Sequence, residues 1–149
     1  MAKIRTISSV HTQEVAKIFA SEIAKKKIFE DQALIILFKG NLGAGKTTFI
    51  QGFMRGLGIK SKITSPTFVI MKSYKLRSSG YKNIHHIDAY RIKNPKEILD
   101  LNFKKIISDP QNIILIEWPE KISKIIPKNK ILIYLDYGKK ETERILQIK

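Results

Sequence analysis

The sequence predicts a three-layer α/β fold with a mixed central sheet, and three observations lead to this prediction. An apolar run at 33–38 leads into a glycine-rich turn and then into a helical pattern. A second apolar run, at 113–116, is typical of a central strand that is buried on both faces. Two pairs of segments that flank short polar turns predict antiparallel strands beside the parallel ones.

The first element expected is a helix that begins near Thr12, a good N-cap residue, with Glu14 in its first turn. Its predicted buried face carries apolar residues at helical spacing, namely Val15, Ile18, Phe19 and Ile23. The run at 33–38 is the next strand. The helix after the glycine-rich turn is expected to end near Gly56 or Gly58, because glycine favours helix C-termini.

The middle of the chain is predicted to contain a β-hairpin and a helix. The segments 68–76 and 81–88 are expected to be its two strands, with Ser78-Ser79-Gly80 as the turn. The run Asn94-Pro95-Lys96-Glu97 predicts a helix start, because asparagine caps, proline fits the first position and glutamate can reach back. After the central strand, a short helix is expected at 120–125.

The chain closes with two segments of alternating polarity, at 131–135 and 141–148, around the turn Asp136-Tyr137-Gly138. This pattern predicts a C-terminal β-hairpin at an edge of the sheet. We see no internal repeat, no low-complexity tract and no long linker, so residues 1–149 are expected to form a single domain.

Composition limits the class of protein. With 43% hydrophobic residues the chain is expected to be globular. No apolar run approaches the roughly 20 residues of a membrane span, and no signal peptide is apparent. The chain has no cysteine, which excludes disulfides and thiolate metal sites. We therefore expect a cytoplasmic protein that does not contact a membrane.

The formal net charge of +15 raises the question of a nucleic-acid partner. Only 5 of the 28 basic residues are arginine, and isoleucine outnumbers leucine. High contents of both lysine and isoleucine indicate A/T-rich codons rather than selection for phosphate contacts. Specific nucleic-acid readers rely more on arginine. Direct contact with RNA remains open, and it is the less favoured alternative.

The glycine-rich turn is Gly40-Asn41-Leu42-Gly43-Ala44-Gly45-Lys46-Thr47-Thr48, which fits the P-loop pattern G-x-x-x-x-G-K-[ST]. Glycines let successive backbone N–H groups face one concavity, and the following helix adds its positive end. Lys46 is expected to reach the β- and γ-phosphates, and the Thr47 hydroxyl to bind Mg²⁺. The sequence therefore predicts a P-loop NTPase-like fold. The residues expected to bind the nucleotide here are Asn41, Leu42, Gly43, Ala44, Gly45, Lys46, Thr47 and Thr48.

Two acids follow apolar segments and are candidates for metal binding or catalysis. Glu117 closes the strand at 113–116, which is the Walker-B arrangement. Asp88 lies in His85-His86-Ile87-Asp88-Ala89-Tyr90-Arg91 and could bind Mg²⁺ or position a water. The alternatives are a solvated strand-end acid and a turn-forming aspartate. Trp118 either covers the site or fills the core.

The remaining polar candidates have different interpretations. The adjacent His85 and His86 point to opposite faces of a strand, so they predict no shared metal site, and one of them is interpreted as a polar core or supporting residue. Arg91 is a candidate phosphate partner or structural partner, and the structural interpretation is favoured. Ser65, Pro66 and Thr67 follow the P-loop helix, where a nucleotide-sensing switch is commonly found. The guanine-reading pattern N-K-x-D is absent, so ATP is favoured over GTP.

Four motifs taken in order, G-N-L-G-A-G-K-T-T, S-P-T-F, H-I-D-A-Y-R and I-E-W-P, resemble the bacterial TsaE (YjeE) family. The resemblance extends from the first helix to Pro119. It implies a small ATPase that acts with the TsaB–TsaD complex in forming threonylcarbamoyladenosine in tRNA, at the adenosine beside the anticodon. Contact with tRNA would be indirect through that complex, with direct contact still open.

The resemblance also implies residue roles. Thr47 and Glu117 would bind Mg²⁺, and Lys46, Asp88 and Glu117 would support hydrolysis. The switch-like loop would contain Ser65, Pro66 and Thr67, and Trp118 would line the site. Thr12 and Gln13 would lie near the adenine. Asn41 departs from the family, which often has an acid there, but the backbone cradle does not depend on that side chain.

The sequence thus predicts a Mg²⁺-dependent ATPase that drives or resets a tRNA-modifying complex and does not transfer the threonylcarbamoyl group itself. One alternative is a small-molecule kinase, which needs an arginine-rich lid that five scattered arginines do not supply. The other alternative is a nucleotide-gated binding module in which hydrolysis is incidental.

Overall fold

The computed structural model of the protein describes residues 2–77 and 80–149. One sheet contains seven strands: β1 (Ala2–Thr6), β2 (Leu34–Lys39), β3 (Met71–Lys75), β4 (Asn83–Asp88), β5 (Asn112–Glu117), β6 (Ile131–Tyr137) and β7 (Arg144–Ile148). The helices are α1 (Ser9–Ala24), α2 (Lys46–Gly56), α3 (Lys96–Leu99), α4 (Phe103–Ser108) and a 3₁₀ helix (Pro119–Ile125). None of the described helices is long and apolar enough to cross a membrane.

The strand order is β1-β7-β6-β2-β5-β4-β3, and the sheet is mixed as predicted. Strand β2 lies at the centre, parallel to both β5 and β6, and β4 is parallel to β5. The register places Phe38 and Asp88 on either side of Glu117. The carboxyl ends of β2, β5 and β4 therefore bring the P-loop and both candidate acids to the same edge of the sheet.

Helices cover both faces of the sheet, which confirms the three-layer arrangement. Successive side chains of a strand point to opposite faces. On one face, Phe38 packs in the cluster that contains Ala16 of α1 and Phe53 of α2. On the other face, Leu37 packs in the cluster that contains Phe103 of α4. The P-loop strand is thus fixed from both sides.

Helices α1 and α2 approach closely because glycine faces the contact. A Cβ atom added at Gly52 would lie 2.5 Å from the Gln13 carbonyl oxygen, and one at Gly56 would lie 2.9 Å from the Ala20 Cβ. Small residues on α1 complete this packing. The buried residues of α1 are Thr12, Ala16, Ala20 and Ile23.

The predicted start and buried face of the first helix are wrong in part. The helix begins at Ser9, and the Ser8 hydroxyl caps it by accepting a bond from the His11 N–H at 3.0 Å. Thr12 lies inside the helix, where its hydroxyl bonds the Thr6 hydroxyl at 2.6 Å. Ile18 is 65% exposed. The close approach of α2 favours small side chains on the buried face of α1. The positions of the large apolar residues therefore do not predict this face correctly.

The predicted edge position of the C-terminal hairpin is also wrong. Strands β6 and β7 do form the hairpin, but β1 pairs with the outer side of β7. On this side of the sheet the edge strand is therefore β1. The sequence patterns did not identify this short strand, which contains two cations. The hairpin of β3 and β4 is confirmed by their antiparallel pairing. Its predicted turn includes Ser78 and Ser79, which lie outside the described residues.

Strand β3 begins at Met71 and not at residue 68. Before it, the N–H groups of Val69 and Ile70 bond the Pro66 carbonyl, and Ile70 has a φ of 68°. This turn leaves Phe68 82% exposed. The predicted end of α2 at Gly56 and the short helix after β5 are both confirmed.

The helix start predicted at residues 94–97 is confirmed to within one residue: α3 begins at Lys96, and Pro95 rather than Asn94 is its N-cap. The Asn94 side chain accepts a bond from the Lys96 N–H at 3.0 Å. Glu97 accepts bonds from the N–H groups of Lys93 and Asn94 at 2.9 and 3.1 Å. The Asn94 side chain therefore satisfies one N–H group of the first helical turn, and Glu97 satisfies two N–H groups just before the helix.

Candidate active site

The P-loop adopts a backbone path that requires glycine. Gly40, Gly43 and Gly45 have φ values of 151°, 80° and 101°. A side chain at Gly40 would meet the Leu135 carbonyl oxygen, and a Cβ at Gly43 would lie 2.9 Å from the Tyr137 hydroxyl. Gly45 is the N-cap of α2 and provides no side-chain cap. The positive end of α2 therefore faces the concavity that the loop forms.

The Lys46 side chain contacts the backbone of the P-loop. Its Nζ donates to the carbonyl oxygens of Gly40 at 2.5 Å and Asn41 at 3.1 Å. The same Nζ lies 4.3 Å from the centre of the Trp118 ring. Burial lowers the pKa of Lys46 below its ordinary value, and the nearby carboxylates of Glu117, Glu120 and Asp88 oppose this effect. A bound anion would further favour the charged ammonium.

Glu117 is held between two elements. One carboxylate oxygen accepts a bond from the Thr47 hydroxyl at 3.4 Å, and the other lies 2.8 Å from the His86 Nε2. His86 is fully buried, and its Nδ1 has no hydrogen-bond partner among the described residues. This geometry places the imidazole proton on Nε2, from which it is donated to the carboxylate. His86 is thus the supporting residue of the two histidines.

Asp88 organises the loop after α2. Its Oδ2 accepts bonds from the hydroxyls of Ser65 at 2.7 Å and Thr67 at 2.8 Å. Its Oδ1 accepts a bond from the Tyr90 N–H at 2.9 Å. The two hydroxyls lie 2.9 Å apart. Asp88 therefore connects the end of β4 to the loop that the sequence predicts to be a switch.

A cleft of about 400 Å³ brings most of the predicted site together. Tyr90 also lines it, and the Tyr90 ring lies 5.0 Å from the Trp118 ring. The predicted residues that line this cleft are Leu42, Gly43, Gly45, Lys46, Thr47, Thr48, Ser65, Thr67, Asp88, Glu117 and Trp118. Residues from four separate segments thus meet around one space.

The other predicted site residues lie elsewhere. Ala44 belongs to the loop, but it is fully buried. Asn41 lines a neighbouring cleft and enters the site only through its carbonyl. Thr12 lines a cleft of about 390 Å³ on the far side of the P-loop, together with Gly43 and Thr48. The Gln13 amide bonds Gln51 at 3.3 Å, at the contact between α1 and α2.

Sequence patterns missed two residues that hold the P-loop. The Tyr137 hydroxyl donates to the Leu42 carbonyl at 2.6 Å, and Arg144 donates to the Gly43 carbonyl at 3.2 Å. The Arg144 guanidinium also lies 4.8 Å from the centre of the Tyr137 ring. Both residues belong to the C-terminal hairpin, about 100 residues beyond the loop. No local signal connects them to it.

The donor set fits Mg²⁺ bound together with a phosphate. Among the described residues, no group of three or more His, Asp or Glu side chains is arranged to hold a metal ion alone. Mg²⁺ in nucleotide sites takes one or two protein oxygens and completes its shell with phosphates and water. The Thr47 hydroxyl and Glu117 carboxylate supply two such oxygens beside the glycine cradle.

Comparisons with known proteins match this chain to one protein family. A family model described as "Threonylcarbamoyl adenosine biosynthesis protein TsaE" matches residues 6–146. The tRNA threonylcarbamoyladenosine biosynthesis protein TsaE of Bacillus subtilis is 34% identical over 133 residues, which are 89% of this chain and 76% of that protein. The protein of the same name from Rickettsia typhi is 38% identical over 120 residues, covering 80% and 75% of the two chains.

A solved structure is similar over almost the whole chain. The crystal structure of Bacillus subtilis YdiB superposes with a TM-score of 0.69 at 29% identity. The match covers 99% of this chain and 83% of that chain. Together with the glycine cradle at the end of the central strand, this likeness establishes a P-loop NTPase-like fold.

Proposed function

This chain belongs to the TsaE family of threonylcarbamoyl adenosine biosynthesis proteins, and we propose that it is the Mg²⁺-dependent ATPase of that pathway. It acts in the cytoplasm with a TsaB–TsaD-type complex that forms threonylcarbamoyladenosine in tRNA. One observation carries the proposal: Lys46, Thr47 and Glu117 meet in one cleft beside a glycine cradle.

In this proposal each side chain has a role set by its position. The backbone of the glycine cradle and Lys46 bind the phosphates, and Lys46 leaves the two carbonyls that it now contacts. Thr47 and Glu117 bind Mg²⁺, and His86 fixes the orientation of Glu117. Mg²⁺ supplies neutralisation of the charge on the transferring phosphoryl group. Asp88 holds Ser65 and Thr67 against the site, and Trp118 lines it.

We infer that hydrolysis is slow without a partner. Phosphoryl transfer is accelerated strongly by an arginine that reaches the developing charge. Among the described residues, Arg144 is the arginine at the P-loop, and its guanidinium is engaged by the carbonyls of Glu141, Glu143 and Gly43. Arg91 stacks on the exposed Phe68 ring at 4.3 Å. In this proposal the protein drives or resets the complex, and it does not transfer the threonylcarbamoyl group itself.

ATP is the proposed nucleotide. The guanine-reading pattern N-K-x-D is absent from the sequence. The cleft beside Thr12, Gly43 and Thr48 lies against the far side of the P-loop and is the proposed place of the adenosine. A competition assay with ATP and GTP checks this choice, and equal affinity for the two would contradict it.

A nucleotide-dependent pull-down tests the proposal. The full chain is immobilised and offered a TsaB–TsaD complex with ATP and Mg²⁺, with ADP, or with no nucleotide. We expect association to depend on the nucleotide and hydrolysis to rise when the complex is present. Lys46→Ala should abolish both effects, whereas Lys105→Ala, an exposed lysine on α4, should keep them. Strong ATP hydrolysis by the isolated chain, with no association, would overturn the proposal.

The variants Glu117→Gln and Asp88→Asn separate an ATPase from a nucleotide-gated binding module. The link from Asp88 to Ser65 and Thr67 also suits a module whose loop senses the nucleotide. For the ATPase, we expect both variants to bind nucleotide and to lose most modification activity. Full modification activity with hydrolysis abolished would favour the module.

A further inference from the structure

The acidic residues of this chain are unevenly distributed. No Asp or Glu occurs between Asp31 and Asp88, although that stretch contains nine lysines and arginines. A compositional bias toward lysine explains many cations, but it does not explain the loss of every acid from one stretch. The part of the chain that contains α2, the loop after it and β3 therefore carries positive charges and no acidic side chain.

A groove of about 450 Å³ lies between the loop after α2 and the edge strand β3. Its polar lining comes from Lys60 and Ser61 on the loop, and from Tyr74, Lys75 and Arg77 on or just after β3. No acidic residue lines it. We refer to this groove, defined by Lys60, Ser61, Tyr74, Lys75 and Arg77, as the basic groove.

The cations of the basic groove are available for a ligand. Lys60, Lys75 and Arg77 are exposed, and none of them forms an ion pair with an acid of the described residues. Lys62 and Lys82, which lie close in sequence to the groove residues, are exposed as well. Burial raises the pKa of the Tyr74 hydroxyl, so it remains a neutral hydrogen-bond donor. Cations without partners around a concave surface favour a ligand with several negative charges.

The basic groove is separate from the nucleotide site. Helix α2 begins at Lys46, in the P-loop, and its 11 residues end just before the loop that forms the groove. At 1.5 Å per residue, the groove lies about 16 Å from the P-loop along this helix. A ligand in the groove therefore does not compete with ATP for the same atoms.

We propose that the basic groove binds the phosphate backbone of RNA. Charge complementarity carries the choice of a polyanion: three free cations and two hydroxyl groups face the groove, and phosphate oxygens accept bonds from both kinds of group. The choice of RNA among polyanions rests on the proposed function in tRNA modification. Because backbone contacts carry no sequence information, the groove positions an RNA without selecting its bases.

The test measures binding of an unmodified tRNA transcript to the full chain across a range of salt concentrations. The double variant Lys75→Gln/Arg77→Gln should bind about tenfold more weakly near physiological salt. Its plot of log affinity against log salt should be shallower by about 1.5 to 2, because two phosphate contacts are lost. A transcript with a different anticodon loop should bind equally well.

A matched control is Lys104→Gln/Lys105→Gln, which removes the same charge from exposed positions on α4, across the sheet. This control should bind the transcript almost as the unchanged protein does. Equal losses in the two double variants would overturn the proposal, because they would show attraction by net charge alone. Stronger binding to vesicles containing phosphatidylserine than to the transcript, with loss in the groove variant, would also overturn it.

Measurements of nucleotide binding test the proposed function separately from RNA binding by the basic groove. The groove variant should bind a fluorescent ATP analogue as the unchanged protein does, and Lys46→Ala should bind the transcript normally. If the groove variant keeps full RNA affinity while Lys46→Ala loses ATP, only the inference about the groove fails. If Lys46→Ala keeps ATP affinity while the groove variant loses RNA, only the proposed function fails.

Discussion

Glu117 is positioned by two contacts of different kinds. The Thr47 hydroxyl bonds one carboxylate oxygen, on the side proposed to face Mg²⁺, and the fully buried His86 bonds the other oxygen at 2.8 Å. A carboxylate that binds a metal keeps its orientation through such a partner. His86 is therefore a positioning residue, and its effect should appear in the Mg²⁺ requirement rather than in phosphate binding.

We expect His86→Phe to lower ATP hydrolysis, measured with the partner complex present, by about 10- to 100-fold. The Mg²⁺ concentration for half-maximal activity should rise, because Glu117 loses its orientation. His86→Gln keeps an N–H donor near the position of Nε2 and should retain more activity. Ser73→Ala removes a partner of the neighbouring His85 and serves as the control. An unchanged Mg²⁺ dependence in His86→Phe would contradict the assigned role.

His85 gives the protein a predicted sensitivity to mild acid. Burial lowers the pKa of His85 below 6.5, and a hydrogen bond that the imidazole donates to the Asn112 side chain and the charge of Asp109 oppose this effect. Between the folded pKa and 6.5 the unfolded chain binds more protons, so the free energy of unfolding falls as pH falls through this window.

We expect His85→Gln to lose less stability than the unchanged protein between pH 7.5 and pH 5.5. The reason is that the variant has no imidazole at this position to take up a proton on unfolding. Urea unfolding midpoints of the two proteins at both pH values measure the difference. A drop as large in the variant as in the unchanged protein would show that other groups cause the acid sensitivity.

At the scale of elements, the C-terminal hairpin supports the P-loop from the side. Tyr137 and Arg144 donate to consecutive carbonyls of the loop, Leu42 and Gly43. Binding those carbonyls keeps the loop N–H groups turned toward the concavity. The hairpin thus supports the proposed nucleotide site, although it contributes no predicted catalytic group.

Tyr137→Phe removes one of these bonds with little change in shape. We expect ATP to bind about threefold to tenfold more weakly, since a single bond contributes about 0.5–1.5 kcal/mol. The free energy of unfolding without nucleotide should change little, because the Tyr137 side chain is half exposed. Tyr134→Phe, on the same strand, is the control. Calorimetric titration measures both affinities, and equal values would contradict a role for the hairpin.

Elements were predictable where their signals are local. The strand, glycine turn and α2 are adjacent in sequence, and the apolar strand β5 carries its own pattern. The start of α1 was misplaced because Ser8 and Thr12 are both residues that favour the N-cap. Strand β1 was missed because its partner β7 lies at the other end of the sequence, and five residues with two cations show little pattern.

The same distinction applies to the candidate site. Lys46, Thr47 and Glu117 were identified because each residue type has a recognised position after a strand or within the P-loop. The partners Tyr137 and Arg144 were not identified, because only the folded sheet places β6 beside β2. Gln13 was expected near the adenine, but its side chain bonds Gln51 between two helices. Sequence signals thus indicate the candidate site residues better than the groups that hold them.

At the scale of the whole molecule, nucleotide binding should stabilise the fold. A ligand that binds only the folded state at 100 times its Kd adds about 2.7 kcal/mol. For a domain of this size the melting temperature should rise by about 5–10 °C. We expect this rise with ATP and Mg²⁺, no rise in Lys46→Ala, and a normal rise in Lys105→Ala. An equal rise with AMP would contradict binding through the β- and γ-phosphates.

The strand order has a consequence for how the chain acquires its active form. Strand β2 pairs with β5 and β6, which are synthesised long after it, and among the described residues β1 pairs only with β7. Pairings between distant segments form slowly and late. A nascent chain that ends soon after the P-loop motif therefore lacks the neighbouring strand β5 and the C-terminal hairpin, which shape the loop. Competence for the proposed nucleotide binding therefore depends on strands that are synthesised after the P-loop, and nascent chains that lack these strands should not engage the proposed partner complex.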